Sequence, residues 1–296
     1  MFDSVATSAH AHSFSPAATG AARPVFFRHN MRASTGQRQP LNDDQIRKVA
    51  PSVFAQEPWS GMTDKYLFVP TVDLVHAMRA EGFQVVQAMQ GRTRIEGKGE
   101  FTKHMLRFEV PGAEAVHSSK PELVLINSHD GTSSYRLMMG VFRMICSNGL
   151  LSAELTHDLA FRHSKKLKDE IIEGTGTLVR EVPGVSAQID RLAGLTLNDD
   201  ERRAYASAAH ALRWDGHAPV EAPRLLDTRR RADDGRDAWT TLNVVQENIM
   251  RGGLLGRTST NRRTTTRAVS GVTENVRLNH ALSVLMAELA NQRAAT

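Results

Sequence analysis

The residue types best suited to chemistry are arginines gathered near the C-terminus. Between residues 251 and 277 the sequence contains six arginines and a single acid, Glu274, among Thr, Ser, Asn and Gly. Guanidinium groups bind phosphate oxygens, and neighbouring hydroxyl and backbone N–H groups add further donors. We therefore predict a flexible basic loop that contacts nucleic acid; a solvated surface loop is the alternative, since local charge alone is weakly specific. The predicted contacts are Arg251, Arg257, Arg262, Arg263, Arg267 and Arg277, joined by Lys165 and Lys166 from a second basic segment.

The dipeptide His129-Asp130 is the second chemical candidate. Neutral imidazole nitrogens and carboxylate oxygens are common ligands of metal ions and common acid–base groups. No second His-Asp pair stands at metal-site spacing, and Gly131 makes the same residues a turn signal between two strands. We therefore expect a turn without a metal or a catalytic role, and we keep a metal-dependent enzyme acting on nucleic acid as an alternative.

The remaining reactive groups do not indicate a cofactor. Cys146 is the sole cysteine, which excludes an intrachain disulfide and favours a reducing, cytoplasmic setting. It follows an apolar strand, where a lone thiol is typically buried and inert. The sequence has neither the glycine-rich phosphate loop of nucleotide-binding enzymes nor the nucleophile elbow of hydrolases. We predict no cofactor, and an enzyme is the less favoured interpretation.

The overall composition is that of a globular protein. Of the 296 residues, 41% are hydrophobic and 23% are charged. No apolar run reaches the roughly 18 residues that a membrane-spanning helix requires, so we expect no membrane partner. The net charge is +5, and the basic excess is mainly C-terminal, with 12 Lys and Arg against 8 acids after residue 220. That excess permits a polyanionic partner without requiring one.

Hydrophobic periodicity predicts the elements that would position these residues. Residues 123–126 form a short apolar run, and residues 135–145 return as a second apolar strand after a turn signal. The alternating residues 103–110 add a half-exposed strand, a helix starts near Thr71, and helices follow from residue 165. We therefore predict an α+β fold: a mostly antiparallel sheet built around a central β-hairpin, backed by helices, with a helical C-terminal part.

Shifts in composition divide the chain into four parts. Residues 1–24, rich in Ala, Ser, Thr and His, are predicted to be a disordered tail. Residues 25–214 would form the α+β core domain, residues 215–237 a charged, solvated linker, and residues 238–296 a C-terminal helical segment packed on the core. A capping box, Asn198-x-x-Glu201, predicts the helix that precedes the linker.

Segments at residues 99–107, 123–148, 245–253, 266–269 and 276–279 together span most of residues 66–290. In combination they resemble a bacterial family known as a domain of unknown function, DUF932. The resemblance covers the whole domain but implies no catalytic residues, since the family has no agreed activity. The family's usual setting on plasmids and prophages implies a cytoplasmic accessory protein of mobile DNA, which favours nucleic-acid handling by association only.

The preferred hypothesis is a non-enzymatic nucleic-acid-binding protein of a mobile element. Its ligand would be DNA, with single-stranded DNA binding, or strand annealing by a homo-oligomer, as the form suggested by analogy with hairpin-centred sheets. Two rivals stay open. One is the metal-dependent enzyme at His129 and Asp130, and the other is a protein-interaction module that blocks a host factor and would expose an apolar patch.

Overall fold

The computed structural model describes residues 39–63, 66–143 and 159–294, together with the backbone of residues 149–151. The predicted disordered tail, residues 1–24, and Cys146 lie outside these residues. Within the described part of the chain the fold is α+β, which confirms the predicted fold class.

Among the described residues, six strands form one antiparallel sheet in the spatial order β1-β2-β3-β4-β5, with β6 also paired to β4. The strands are β1 Gln84–Gln90, β2 His104–Glu109, β3 Ser119–Asn127, β4 Tyr135–Arg143, β5 Gly149–Leu151 and β6 Leu159–Phe161. β3 and β4 are paired from Ser119 and Arg143 at one end to Ile126 and Arg136 at the other, which confirms the central β-hairpin. Their connection contains Gly131 at φ 74°, the left-handed conformation that glycine adopts without strain.

Helices and a second, two-stranded sheet complete the described part of the chain. The helices are α1 Asp43–Val49, α2 Thr71–Ala80, α3 Leu167–Val179, α4 Val182–Gly194, α5 Asp199–Arg213, α6 Ala238–Arg251 and α7 Val272–Ala294, and the small sheet pairs β7 Leu255–Arg257 with β8 Arg263–Thr265. None of the helices in the described residues combines the length and the apolar character needed to cross a bilayer.

Local signals set the helix boundaries. Asn198 Oδ1 accepts from the Glu201 N–H at 2.9 Å, and Glu201 Oε2 accepts from the Asn198 N–H at 2.7 Å, so the capping box before α5 is confirmed. Asp237 caps α6 by accepting from the Thr240 N–H at 2.7 Å. Gly252 follows the last residue of α6 at φ 63°, a conformation that stops the helix.

The sheet separates two unequal apolar layers. Side chains alternate along the strands, so Leu106, Leu125 and Leu137 are neighbours on one face, where helices cover them completely. The opposite face carries a smaller cluster, formed by Met105, Val124, Ile126, Met138, Phe142 and, from α7, Val272. On this face Arg107 is buried and lies 2.7 Å from the carboxylate of Glu122, which neutralises its charge inside the protein.

In the residues that the structure describes, both edges of the sheet are interrupted. β1 contains a bulge between Val85 and Gln87, and the carbonyl oxygen of Val85 accepts a hydrogen bond of 2.7 Å from the Leu41 N–H. On the other side, β4 is paired by β5 near Phe142 and by β6 near Tyr135, so two short strands share its length.

The segment predicted as a solvated linker, residues 215–237, packs against α6. Leu225 is fully buried in it, and Asp233 is 1% exposed. The side-chain amide of Asn248, on α6, donates to the carbonyl oxygens of Leu225 and Asp227, each at 2.9 Å. These two carbonyl oxygens therefore have partners in the protein, while the division of the chain into domains stays a prediction.

A chain of ion pairs passes through this segment and joins the sheet to α6. Arg143 of β4 lies 2.7 Å from Asp233, which in turn lies 3.0 Å from Arg230. Arg230 also pairs with Glu247 on α6. Burial raises the pKa of Glu247, but hydrogen bonds from Arg230 and Arg251 outweigh burial and hold the pKa below its usual range. Glu247 is therefore an anion that holds arginines against α6.

Residues 66–69, which precede α2, pair with no strand in the described part of the chain. Side chains supply the hydrogen bonds to this backbone that a neighbouring strand would otherwise supply. The carbonyl oxygen of Val69 accepts from the Tyr135 hydroxyl at 2.9 Å, and that of Leu67 lies 3.1 Å from His163 Nδ1. The polar groups that satisfy this backbone, Tyr135 and His163, belong to a cluster of histidine and hydroxyl side chains.

Candidate nucleic-acid interface and a buried histidine cluster

The arginine-rich segment is a β-hairpin, whereas the sequence predicts a flexible loop. We term residues 252–267 the arginine hairpin. Its strands β7 and β8 place Leu255 opposite Thr265 and Arg257 opposite Arg263. Strands of three residues are too short for their side-chain alternation to be recognised in the sequence. This hairpin is fixed by hydrogen bonds to the rest of the protein.

Hydrogen bonds fix the base and the tip of the arginine hairpin. At the base, the Gly253 N–H donates to the Thr266 carbonyl at 2.8 Å, and the Thr266 N–H donates to the Leu254 carbonyl at 2.9 Å. At the tip, the Thr258 N–H donates to the Arg262 carbonyl at 2.9 Å. The hairpin therefore presents its side chains from an ordered backbone.

Four of the predicted contact residues, Arg257, Arg262, Arg263 and Arg267, are exposed on this hairpin. Arg257 and Arg263 are direct cross-strand neighbours, an arrangement that like charges disfavour. Arg257 Nη1 donates to the carbonyl oxygen of Asn261 at 3.0 Å. Within the described residues, Arg262, Arg263 and Arg267 have no acidic partner. The hairpin is thus a concentration of positive charge without local compensation.

The two flanking arginines, Arg251 and Arg277, are paired with acids. Arg251 Nη1 lies 3.1 Å from Glu247 in the last turn of α6, where a cation also suits the helix C-terminus. Arg277 donates two hydrogen bonds of 2.8 Å to Glu274, which raise the pKa of Arg277. Each of these two side chains therefore has an acidic partner on its own helix.

The predicted contacts Lys165 and Lys166 lie on another part of the fold. Both are exposed just before α3, and that helix packs on α2, β4 and β6. The arginine hairpin instead lies between α6 and α7 in the chain and contacts the segment near Pro219. The structure therefore does not group the two lysines with the arginines of the hairpin.

A second set of polar side chains lies at one end of the sheet, on the face that the helices cover. We term it the histidine cluster; it consists of Thr71, His104, His129, Tyr135 and His163. The Thr71 hydroxyl is its centre, 3.0 Å from His104 Nε2, 3.1 Å from His129 Nε2 and 2.9 Å from the Tyr135 hydroxyl. All members except the half-buried His163 are at most 1% exposed.

Hydrogen-bond partners assign the proton of His104. Gln90 Nε2 donates to the Gly99 carbonyl at 2.5 Å, so Gln90 Oε1 is the acceptor for the Ser52 hydroxyl at 2.8 Å. Ser52 Oγ can then accept from His104 Nδ1, 2.9 Å away, and His104 Nε2 accepts from the Thr71 hydroxyl. Burial lowers the pKa of His104 to about 4, so the imidazole is neutral at pH 7.

His129 is part of this buried cluster and not of an exposed turn. Its side chain is fully buried, with its ring centroid 4.8 Å from that of Phe68 and 5.4 Å from that of His104. Burial and the neighbouring imidazoles lower the pKa of His129 to about 3. Its Nδ1 atom has no hydrogen-bond partner within the described residues. The predicted turn is present, but its histidine contributes to the core.

Asp130 has different partners from His129. Its carboxylate lies 3.1 Å from Lys98 Nζ and accepts from the Thr132 hydroxyl at 2.6 Å. Burial raises the pKa of Asp130, but hydrogen bonds from Thr132, Ser128 and Lys98 outweigh burial and leave the pKa below its usual value. In the part of the chain that the structure describes, no three His, Cys, Asp or Glu side chains are arranged to hold a metal ion.

Sequence reasoning missed the centre of this cluster, although one signal was present. The alternation in β2 places His104 on the same face as Leu106 and Phe108, which indicates an imidazole inside the core. Thr71 and Ser52 carry no comparable signal. Only the tertiary fold brings these hydroxyl groups to the histidines.

Residues 58–283 match the model of a family described as a domain of unknown function (DUF932). Two relatives from Escherichia coli strain K12, the UPF0380 proteins YafZ and YfjQ, are each 37% identical to this chain over 255 residues, covering 86% of this chain and 93% of the relative. No solved structure matches the chain. The matched region includes the whole arginine hairpin and all members of the histidine cluster. From the extent of these matches, the chain belongs to the DUF932 family.

Proposed function

We propose that this protein binds nucleic acid through the arginine hairpin. The observation that carries the proposal is the exposed cross-strand pair of Arg257 and Arg263, on a hairpin that also presents Arg262 and Arg267 and contains no acid. Cations held this close repel one another, and a phosphate backbone supplies the anions that offset the repulsion. The ordered backbone lowers the entropy cost of placing these side chains on a ligand.

The wider setting is part of the same proposal. DNA as the ligand, a homo-oligomer, the cytoplasm and a plasmid or prophage as the genetic context are all expectations from the sequence. In the proposed interface the four hairpin arginines make the principal phosphate contacts. Arg251, Arg277, Lys165 and Lys166 contribute only general positive charge, because two of them are paired and two lie elsewhere.

The two rival functions have less structural support. His129 and Asp130 have separate sets of partners, so they do not form one acid–base or metal-binding unit. The large apolar side chains exposed in the described residues are Leu67, Ile95 and Leu255, which lie on three different segments. An interaction module would instead present a contiguous apolar patch of several hundred Å².

Binding of the full-length protein to labelled DNA and RNA over a range of salt concentrations tests the proposal. The double variant Arg262→Ala, Arg263→Ala should bind more weakly. It should also reduce the slope of log affinity against log salt by roughly 1.8, since each lost phosphate contact releases about 0.9 fewer counterions.

A charge-matched double variant separates hairpin contacts from net charge. Arg180→Ala with Arg203→Ala removes two exposed arginines from the end of α3 and from α5, and should leave the slope unchanged. Equal effects of the two double variants would contradict a role for the hairpin. Absence of binding to every nucleic acid at low salt would contradict the proposed function itself.

A further inference from the structure

The two faces of the arginine hairpin differ in what they contact. Side chains alternate along each strand, so Leu255 and Arg257 share one face with their cross-strand partners, Thr265 and Arg263. All four of these residues are exposed. The intervening residues, Gly256 and Thr264, face the other way and are half-buried. The hairpin is thus a ribbon with a back that faces the protein and a front that faces solvent.

Close backbone contact holds the back of the ribbon against the protein. A Cβ atom on Gly256 would collide with the carbonyl oxygen of Pro219, so only glycine permits this approach. The same carbonyl oxygen accepts a hydrogen bond of 2.8 Å from the Arg257 N–H. Within the hairpin, a Cβ atom on Gly252 would lie 2.6 Å from the Thr266 carbonyl oxygen, so the two chains are in close contact at its base. The ribbon therefore has one available face in a fixed orientation.

The front of the ribbon combines positive charge with an apolar side chain. Leu255 is 71% exposed, the highest value among the exposed large apolar residues that the structure describes. It lies two residues from Arg257 on the same face, and Arg263 is opposite that arginine. Phosphates would satisfy the two arginines but would gain nothing from the leucine. A ligand that fills the whole face must offer phosphates to the arginines and an apolar or base-lined surface to Leu255.

We propose that the front of the ribbon binds in the major groove of duplex DNA, which refines the proposed function and depends on it. A two-stranded ribbon fits a groove about 12 Å wide. Arg257 and Arg263 would contact phosphates at the groove walls or guanine O6 and N7, and Leu255 would contact the groove floor, where thymine methyl groups are exposed.

Other nucleic acids fit this face less well. Platforms for single strands stack bases on aromatic side chains, and residues 251–277 contain no Phe, Tyr or Trp. The major groove of duplex RNA is too deep and narrow for side chains to read. The ribbon is also fixed at its back and base, which suits a ligand of regular shape. Duplex DNA is therefore the ligand we assign to it.

The experiment compares full-length protein binding to one duplex DNA, to each of its single strands and to the duplex RNA of the same sequence. Duplex DNA should bind at least roughly tenfold more tightly than the others, as expected for an added set of groove contacts. On the duplex, bound protein should protect guanine N7, in the major groove, from methylation and leave adenine N3, in the minor groove, reactive.

Substitutions on the front face should have separable effects. Leu255→Ala should weaken duplex binding roughly tenfold without changing the salt slope, because it removes only apolar contact area. Arg257→Ala and Arg263→Ala should each reduce that slope by about one. Ile95→Ala is the matched control, since Ile95 is 56% exposed on the connection between β1 and β2. The control should leave affinity unchanged.

The outcomes distinguish this inference from the proposed function. If single strands or duplex RNA bind as tightly as duplex DNA, the groove assignment is wrong while nucleic-acid binding stands. Protection of adenine N3 alone, or equal effects of Leu255→Ala and Ile95→Ala, would likewise overturn it. If no nucleic acid binds, both the inference and the proposed function are wrong.

Discussion

The Thr71 hydroxyl is surrounded by more polar groups than it can form hydrogen bonds with at one time. A threonine hydroxyl donates once and accepts twice, yet four polar groups surround this one within 3.2 Å. His104 Nε2 takes its proton and the Asn127 amide fills one lone pair. The other lone pair is left for His129 Nε2–H, because Tyr135 donates its own proton to the Val69 carbonyl. The network ties the start of α2 to three strand ends, and its members depend on one another.

Replacing Thr71 with valine tests this dependence, because valine keeps the shape and removes only the hydroxyl. His104 Nε2 and the Asn127 amide would then lose a buried partner, so we expect the free energy of unfolding to fall by about 3 kcal/mol. Urea denaturation measures the change. Thr177→Val, at a half-buried position of α3, is the control and should cost less than about 1 kcal/mol. A similar loss in both variants would contradict the central role of Thr71.

The buried histidines should make stability depend on pH above the range where carboxylates titrate. Burial lowers the pKa of His104 to about 4 and that of His129 to about 3, whereas both would titrate near 6.5 when unfolded. Their contribution is therefore complete above about pH 6.5 and is lost as the pH falls towards the folded-state values. As the pH falls through that window, each histidine should lower the free energy of unfolding by roughly 1.4 kcal/mol per pH unit.

Urea denaturation between neutral pH and about pH 5 measures this loss. His129→Gln should reduce the slope of the free energy of unfolding against pH by the equivalent of about one proton. His117→Gln, which changes an exposed histidine outside the histidine cluster, is the control variant. Stability that does not change over this range would show that the two histidines are not buried as neutral groups.

At the scale of elements, the position of the arginine hairpin depends on one glycine. Gly256→Ala would place a methyl group against the Pro219 carbonyl, so we expect the hairpin to separate from its support. The resulting loss of hydrogen bonds should lower the free energy of unfolding by about 1–3 kcal/mol. Hydrogen exchange should show faster exchange of the Arg257 N–H, which donates to that carbonyl.

Gly194→Ala provides the control for this substitution. Gly194 ends α4, and a Cβ atom there would meet nothing within 4 Å. Alanine should therefore be tolerated or slightly stabilising, by up to about 1 kcal/mol. If the two glycine variants behave alike, contact with Pro219 does not position the hairpin.

The same elements show what could be predicted from the sequence. The β3–β4 hairpin and the start of α5 were predictable because their signals are local: apolar runs around Gly131, and the Asn198 capping box. The arginine hairpin was not, because its short strands depend on docking against Pro219. For the candidate site, the sequence shows which residues are concentrated but not which side chains the fold brings together. The arginines were found from composition, whereas the burial of His129 beside Thr71 depends on segments far apart in the chain.

At the scale of the whole molecule, the ion pairs through Asp233 connect the sheet to the C-terminal helices. Asp233 is 1% exposed and contacts both Arg143 and Arg230. Asp233→Asn removes the charge that these arginines share, and breaking a buried pair in this way costs roughly 3–5 kcal/mol. We expect the free energy of unfolding to fall by that amount, as measured by urea denaturation.

Since the pairs join both parts of the fold, we expect the parts to unfold together. Trp59 lies near the sheet and Trp239 on α6, so single-tryptophan variants should give coincident transitions in fluorescence and far-ultraviolet circular dichroism. Asp234→Asn is the control for Asp233→Asn, because Asp234 is exposed and keeps an acceptor for Thr228. Two separated transitions would show instead that residues 238–296 form an independent unit.

The interrupted edges of the main sheet bear on how copies of this protein avoid uncontrolled association. An exposed strand with a continuous row of free N–H and C=O groups is a template for intermolecular β-pairing and for amyloid growth. Here the bulge near Val85 breaks that row in β1, and Leu41 occupies one of its carbonyl oxygens. If the protein binds DNA as proposed, copies on one duplex would reach high local density, and edges of this kind would let them lie side by side without their sheets joining.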